Sequence, residues 1–355
     1  MKTPLILFIA LMLAKQLHAQ DSDRQFTFSG FADVYYAYDF NKPLNNSRQY
    51  VTQAARHNEF NLNWGYLLAE YSAKRVRSSF GLHTGTYVQY NYAAEPNELT
   101  KMIYQANAGV KIKERIWVDA GIITPHTGYE GVASIDNEIY TRALGTEYTP
   151  YYLTGVKLAA ALNDKLDFTA VVVNGWQIIA ETNNAKSVGV NLQYRPTDEL
   201  TLSYGNLIGN EQPGFVGRRK VRNYHNAWIK YAFNAKFHAV ASFDYGAQEL
   251  VGSDDSGNFV IAMLIAEYKI SDKLAIAGRV ENMRDDDEIL VNTSGGGFNL
   301  STYSMTGTLN VADNAKLRVE AKYGSDANAI FLSQDATTHD DFFLLVGSLA
   351  MRFTK

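Results

Sequence analysis

The chain has 355 residues, no cysteine and a formal net charge of −4, with 23 Tyr and 18 Phe against only 7 Pro. That length holds one large β-domain or two ordinary domains, and the absence of cysteine excludes a small disulfide-stapled fold. Mild acidity gives no reason to invoke a nucleic-acid partner.

The first twenty residues, MKTPLILFIALMLAKQLHAQ, differ from all that follow. Lys2 forms a short basic start, an apolar run extends from Pro4 to Ala14, and small Ala19 closes a polar segment. This is the pattern of a secretory signal peptide, too short to span a bilayer. Cleavage is expected after Ala19 or Gln20, leaving one domain over residues 21–355. The leader holds two basic and no acidic residues, so 31 Lys and Arg then face 37 Asp and Glu, a balance of −6. No later stretch reaches the roughly 18 consecutive apolar residues of a membrane helix. Abundant tyrosine with scarce proline suits a membrane β-barrel with aromatic girdles.

Strand periodicity recurs along the chain. SVGVNLQYR sets Val188, Val190, Leu192 and Tyr194 against Gly189, Asn191, Gln193 and Arg195. AKFHAVASFDYGAQ places Phe237, Ala239, Ala241, Phe243 and Tyr245 opposite His238, Ser242, Asp244 and Gln248. KLAIAGRVE and KLRVEAKYG alternate in the same way, the latter with Lys316, Arg318, Glu320 and Lys322 on one face. Period-two alternation means strands with one apolar and one polar face.

Punctuation sets the architecture. Short turns are read at 72–75, 111–115, 162–165, 195–199, 233–236, 270–273 and 311–316. Longer polar connections lie at 40–57, 91–101, 124–150, 178–186, 210–222, 249–257, 284–298 and 325–340. The two kinds alternate strictly, as periplasmic turns and external loops do in an outer-membrane barrel. The fold class is therefore all-β: a transmembrane antiparallel up-and-down β-barrel of about sixteen strands, a size that leaves an aqueous channel. No blade-like repeat points to a propeller, and a sandwich would not need this rhythm.

With the apolar face on lipid, the charged face must line the lumen. Its candidates are Asp33, Lys111, Asp119, Lys157, Asp244, Glu267, Lys269, Arg279, Glu281, Arg318, Glu320 and Lys322. Both signs occur, so partly paired charges with weak net selectivity are expected; alternatively, any one of them merely keeps the lumen wet.

The connection 124–150 is the longest and the third external loop. It carries His126, Glu130, Asp136, Glu138, Arg142 and Glu147, a candidate constriction set if the loop folds inward. His126 and Glu130 stand four apart, but Pro125 and Gly128 argue against a helix that would face them together. A metal site also needs three or four converging ligands. RDDDE at 284–288 lacks the spacing of a calcium loop. GRRKVR at 217–222 could steer anions or meet lipopolysaccharide phosphates, and SGGGF at 294–298 lacks the context of a phosphate cradle. Trp176 in NGWQ is expected in an interfacial belt. Histidines 83, 126, 225, 238 and 339 show no catalytic partner, so no catalytic, cofactor-binding or metal residue is assigned.

FSGFADVYYAYDFNKP, DAGIITPHTGYEG, TRALGTEYTPYYLTGVKL and VVVNGWQ together resemble the OmpL-like β-barrel porins of Gram-negative bacteria. The HAQ leader end and the abundant Tyr and Asn are similar to Bacteroidota members. The resemblance implies a porin-like barrel without catalytic residues or cofactor. One departure is the chain end, where Phe353 is followed by Thr354 and Lys355. The expectation is an outer-membrane porin, not an enzyme, passing small polar solutes or ions by passive diffusion through a lumen narrowed by the third external loop. Its surroundings would be outer-membrane lipid and lipopolysaccharide, with a homotrimer allowed by analogy. The alternative is a barrel with a closed lumen, acting through its loops as an adhesin or surface-interaction protein.

Overall fold

A computed structural model describes residues 24–211, 220–250 and 255–355. The leader and residues 217–219 of the basic stretch lie outside the described residues. Eighteen strands form among those described. They are β1 (Gln25–Asp39), β2 (Phe60–Ser72), β3 (Val76–Thr84), β4 (Ile103–Lys113), β5 (Ile116–Ile123) and β6 (Leu153–Ala161). Next come β7 (Leu166–Val173), β8 (Ser187–Tyr194), β9 (Leu200–Asn210), β10 (Val221–Ala232), β11 (Phe237–Glu249) and β12 (Ser256–Lys269). The last are β13 (Leu274–Asp285), β14 (Phe298–Ala312), β15 (Ala315–Asp326), the small ribbon β16 (Phe331–Leu332) with β17 (Thr338–His339), and β18 (Asp341–Thr354). All but the ribbon pair with chain neighbours, and β18 closes the ring on β1 and β15, giving a sixteen-stranded antiparallel barrel. Closure satisfies every strand edge, which a hydrocarbon setting demands.

The short turns have local causes. The Asn163 side chain accepts the Lys165 N–H at 2.9 Å, and Asn234 accepts the N–H groups of Lys236 and Phe237 at 2.9 and 3.0 Å. Such side-chain caps mimic a backbone turn and reverse the chain within a few residues. Both ends of the described chain meet at this short-turn rim, where Phe28 and Lys355 exchange backbone hydrogen bonds of 2.9 and 2.8 Å.

The outward face is apolar: Leu264, Ile276, Val280, Met305 and Val319 stand exposed at mid-strand. Aromatic rings gather toward the rims, with Phe28 beside Phe353 at one and Phe40 beside Phe343 at the other. Trp176 departs from expectation. It turns inward, edge-on to buried Tyr224 at 5.0 Å and under Arg222 at 4.6 Å, because the connection after β7 packs onto the inner wall.

Inside, the barrel is not uniformly polar. Phe259, Ile261, Ile265, Met283, Phe342, Leu344 and Val346 are buried on the inner face, where they pack against loop residues. Strands β12 and β18 are accordingly apolar on both faces. A sheet buried on both sides loses its alternation, which is what covering loops impose here.

Candidate functional site in the barrel lumen

The third long connection, between β5 and β6, holds a short 3-10 turn (Ser134–Asp136) and helix α1 (Leu144–Tyr148). Its side chains and backbone meet inward-facing residues on widely separated strands. His126 reaches β9, its Nε2 lying 2.7 Å from the Asn206 carbonyl oxygen; burial lowers its pKa. Two glycines make that approach feasible. A Cβ on Gly189 would lie 2.5 Å from His126 Nε2, and one on Gly205 would lie 2.7 Å from Thr127 Cγ2. Gly128 then donates its N–H to Asn226 of β10 at 3.1 Å.

Glu130 points to a different wall. It pairs with Arg279 of β13 at 3.0 Å and accepts the Ala143 N–H at 2.8 Å. Burial raises its pKa, an effect that Arg279 partly offsets. His126 and Glu130 therefore serve separate contacts and form no shared site.

Around Arg279 the loop and wall interlock. Its guanidinium donates to the Thr141 and Arg142 carbonyls at 2.7 and 2.9 Å and lies 3.1 Å from Glu281. Glu281 also accepts the Leu144 N–H and the Thr302 hydroxyl, each at 2.7 Å, with Lys322 at 3.4 Å. Glu320 accepts the Thr141 N–H at 2.8 Å and its hydroxyl at 2.5 Å. Arg318 donates to the Ser134 and Asn137 carbonyls, both at 2.7 Å, while Asp33 accepts from Ser134 and Asn63 at 2.9 and 2.8 Å. Asp136 takes a two-pronged contact from Arg352 of β18 at 2.9 and 2.5 Å.

The other loop candidates have their own settings. Glu138 accepts from Tyr129 of the same loop at 2.6 Å, contacts His238 of β11 at 2.9 Å and pairs with Lys230 of β10 at 3.3 Å. Burial disfavours its charge, but the His238 and Tyr129 hydrogen bonds and the Lys230 charge outweigh that and hold its pKa down at about 2. Arg142 is sandwiched between Tyr87 and Tyr151, 4.6 and 4.7 Å from the ring centroids, and donates to the Val132 carbonyl at 3.0 Å. Glu147 accepts the Thr52 N–H from the first long connection, and burial raises its pKa.

The remaining wall candidates do not touch this loop by an ion pair. Asp119 accepts from Arg77 at 2.7 Å, and Lys157 stands opposite it in register. Lys111 lies 5.5 Å from the Trp117 ring. Asp244 accepts from Asn226 at 2.9 Å and from Tyr224, Glu267 lies 3.9 Å from His238, and Lys269 is exposed at the short-turn rim. His238, Lys230, Thr141, Ser134, Arg352 and the inner glycines were missed as site residues. Of these, only the glycines, small residues on an otherwise bulky inner face, leave a local signal.

Cavities lie along the inner side of β1–β6. One of about 340 Å³ lies toward the short-turn rim and is lined by Glu70, Arg77, Asn107, Asp119 and Lys157. Another, about 330 Å³, lies between the wall and the third long connection, and Thr124 borders both. Among the described residues no cluster of potential ligands suits a metal ion.

A closed sixteen-stranded barrel with an apolar belt and a long loop inside it defines the outer-membrane porin class. A family model described as "Putative beta-barrel porin-2, OmpL-like" matches residues 25–353, and the chain belongs to this family. Among solved structures, the outer-membrane OmpT of Vibrio cholerae aligns with TM-score 0.63 at 10% identity, covering 94% of this chain and 99% of that one. The anion-selective porin from Comamonas acidovorans aligns with TM-score 0.66 at 9% identity, covering 93% and 100%. Salmonella typhi OmpF, solved with daunomycin, gives 0.62 at 13% identity, covering 94% and 99%. At such identities the likeness is one of fold. No curated protein matches the sequence. The family points to a channel rather than an enzyme and supports an outer-membrane location.

Proposed function

We propose that this chain is an outer-membrane porin that passes small polar solutes or ions by passive diffusion, with its third external loop as the narrow point. The leader at 1–20 would route it to the outer membrane, among lipid and lipopolysaccharide. The observation that carries the reading is the loop's path. It is held to β1, β9, β10, β11, β13, β15 and β18 at once, so any solute must pass between it and the wall. Those hydrogen bonds and ion pairs leave β2–β6 free, and both cavities lie beside these strands. Asp119, Lys157 and Arg77 would set the charge seen on the short-turn side, and Asp136 with Arg352 the charge beside the loop. Glu130, Arg142 and Glu147 would hold the loop's shape. A homotrimer is part of the proposal by analogy, since the Vibrio OmpT has been solved in a trimer form.

The test is single-channel conductance of the refolded protein in a planar bilayer. Steady ohmic steps support diffusion; a folded barrel that never conducts removes it. One observation favours the second reading, a closed barrel working through its loops. Phe298, Phe331, Val291 and Tyr50 build an apolar cluster where the long connections cover the barrel interior. A silent barrel whose partner binding is lost on deleting 327–340 would establish that alternative.

A further inference from the structure

The cavity beside the third long connection has one aromatic wall. Phe31 and Tyr66 stack at 5.5 Å and 26°, Tyr66 and Tyr104 lie 5.1 Å apart at 31°, and Tyr104 meets His83 at 5.7 Å and 30°. Four rings from four neighbouring strands thus lie in successive contact as a continuous platform, each tilted 26–31° from the next. Tyr66 and Tyr104 of this platform line the cavity. The same cavity is lined by Gly128, Gly131 and the hydroxyl-bearing Thr127 and by the Asp136–Arg352 pair.

The charges here are matched. Asp136 is held by Arg352 and Glu130 by Arg279, so no uncompensated fixed charge borders the cavity from the loop. A charged solute would gain little, whereas a neutral ring with one apolar face and a polar edge would match both surfaces. A pyranose has that shape: its axial C–H bonds, polarised by the ring oxygens, can lie on the negative π-face, and its equatorial hydroxyls can reach carboxylate and guanidinium. The volume of about 330 Å³ falls at the small end of ligand pockets.

We propose that this cavity is a carbohydrate subsite, with Tyr66 and Tyr104 as the stacking surface and Asp136 and Arg352 as the hydroxyl partners. The inference rests on the diffusion reading for its role in passage, though not for binding. Neutral sugars pause on the platform as they pass the loop.

The experiment uses the full-length barrel and maltose, with glycerol and succinate as comparators. Maltose, and neither comparator, interrupts the ion current and shifts the emission of Trp64, whose ring lies 4.9 and 5.0 Å from Tyr66 and Tyr104. Trp64→Phe identifies that signal. In Tyr66→Leu/Tyr104→Leu the apparent maltose affinity falls about tenfold while conductance is kept or rises. Should that variant not fold, Asp136→Asn weakens maltose several-fold in its place. A conducting pore with uninterrupted current and unmoved emission at high maltose overturns the subsite and leaves diffusion intact. A silent barrel whose Trp64 emission still responds keeps the subsite and removes diffusion.

Discussion

At β13–β15 the third long connection is fastened in a dry setting, and at β10–β11 in a half-wet one. Arg279, Glu130 and Glu281 have side-chain exposures of 0, 1 and 0%, whereas Lys230 beside Glu138 reaches 37%. In the dry setting each charge lost its water, and only the interlocking of Arg279 with two carboxylates and two carbonyls offsets that cost. At the wetter setting solvent screens the pair, so its strength can vary with conditions. One fastening therefore fixes the loop's position, and the other adjusts how tightly it is held.

Removing Arg279 tests the first half most severely. Arg279→Met leaves Glu130 and Glu281 buried beside an apolar group and two carbonyls without their donors, a loss of about 3–5 kcal/mol. The expected outcome is a lower urea midpoint and a larger, noisier single-channel current as the loop comes free. An unchanged current would show that the loop is held elsewhere. One residue along, the environment reverses, because successive strand side chains point to opposite faces. Val280 is 50% exposed on the outward face. Val280→Arg places a charge against hydrocarbon and should cost about 2–4 kcal/mol if it lies near the bilayer midplane. Refolding titrations in lipid vesicles read that cost, with the conductance of the folded fraction unaltered.

The second fastening responds to acid. Glu138 titrates near 2 instead of its ordinary 4.5, so its stabilisation is complete above pH 4.5 and is lost as pH falls from 4.5 toward 2. Current noise in the wild type should rise over that window. Glu138→Gln should already be noisy at pH 7, with a flatter profile below 4.5. Its stability cost should sit at the low end of about 1.5–3 kcal/mol, since solvent screens Lys230. A mutant profile parallel to the wild type would assign the acid response to another group. Glu130, whose pKa burial raises, carries the opposite sign: protonation there relieves a cost.

The barrel was legible because its causes are local. Alternation of Lys316, Arg318, Glu320 and Lys322 with apolar neighbours, and asparagine-capped turns such as that at Asn234, act over a few residues. The sixteen strands and the alternation of short and long connections follow from such signals. The loop's path was not legible in the same way. Thr141 meets Glu320, and Glu130 meets Arg279, across 179 and 149 residues of chain, and no periodicity encodes such pairs. Traces existed in the double-faced apolarity of β12 and β18 and in Gly189 and Gly205. Trp176 shows the converse hazard: an aromatic at a strand end suits a membrane belt, yet tertiary packing turned it inward.

A fully wet pair extends the comparison to its limit. Arg115 and Asp164 meet at 2.7 Å across two short turns, with side-chain exposures of 54 and 87%. Each long side chain must be ordered to make the contact, and water and salt screen the charges it brings together. Arg115→Ala should therefore shift stability by less than about 0.5 kcal/mol, and raised salt should erase even that. Conductance should stay at the wild-type value, because neither group borders the described cavities. Urea titration at low and high salt reads the first expectation, and single-channel recording reads the second. An effect as large as that of Glu138→Gln would mean that exposure does not rank these ion pairs, and that the short-turn rim contributes to holding the barrel closed.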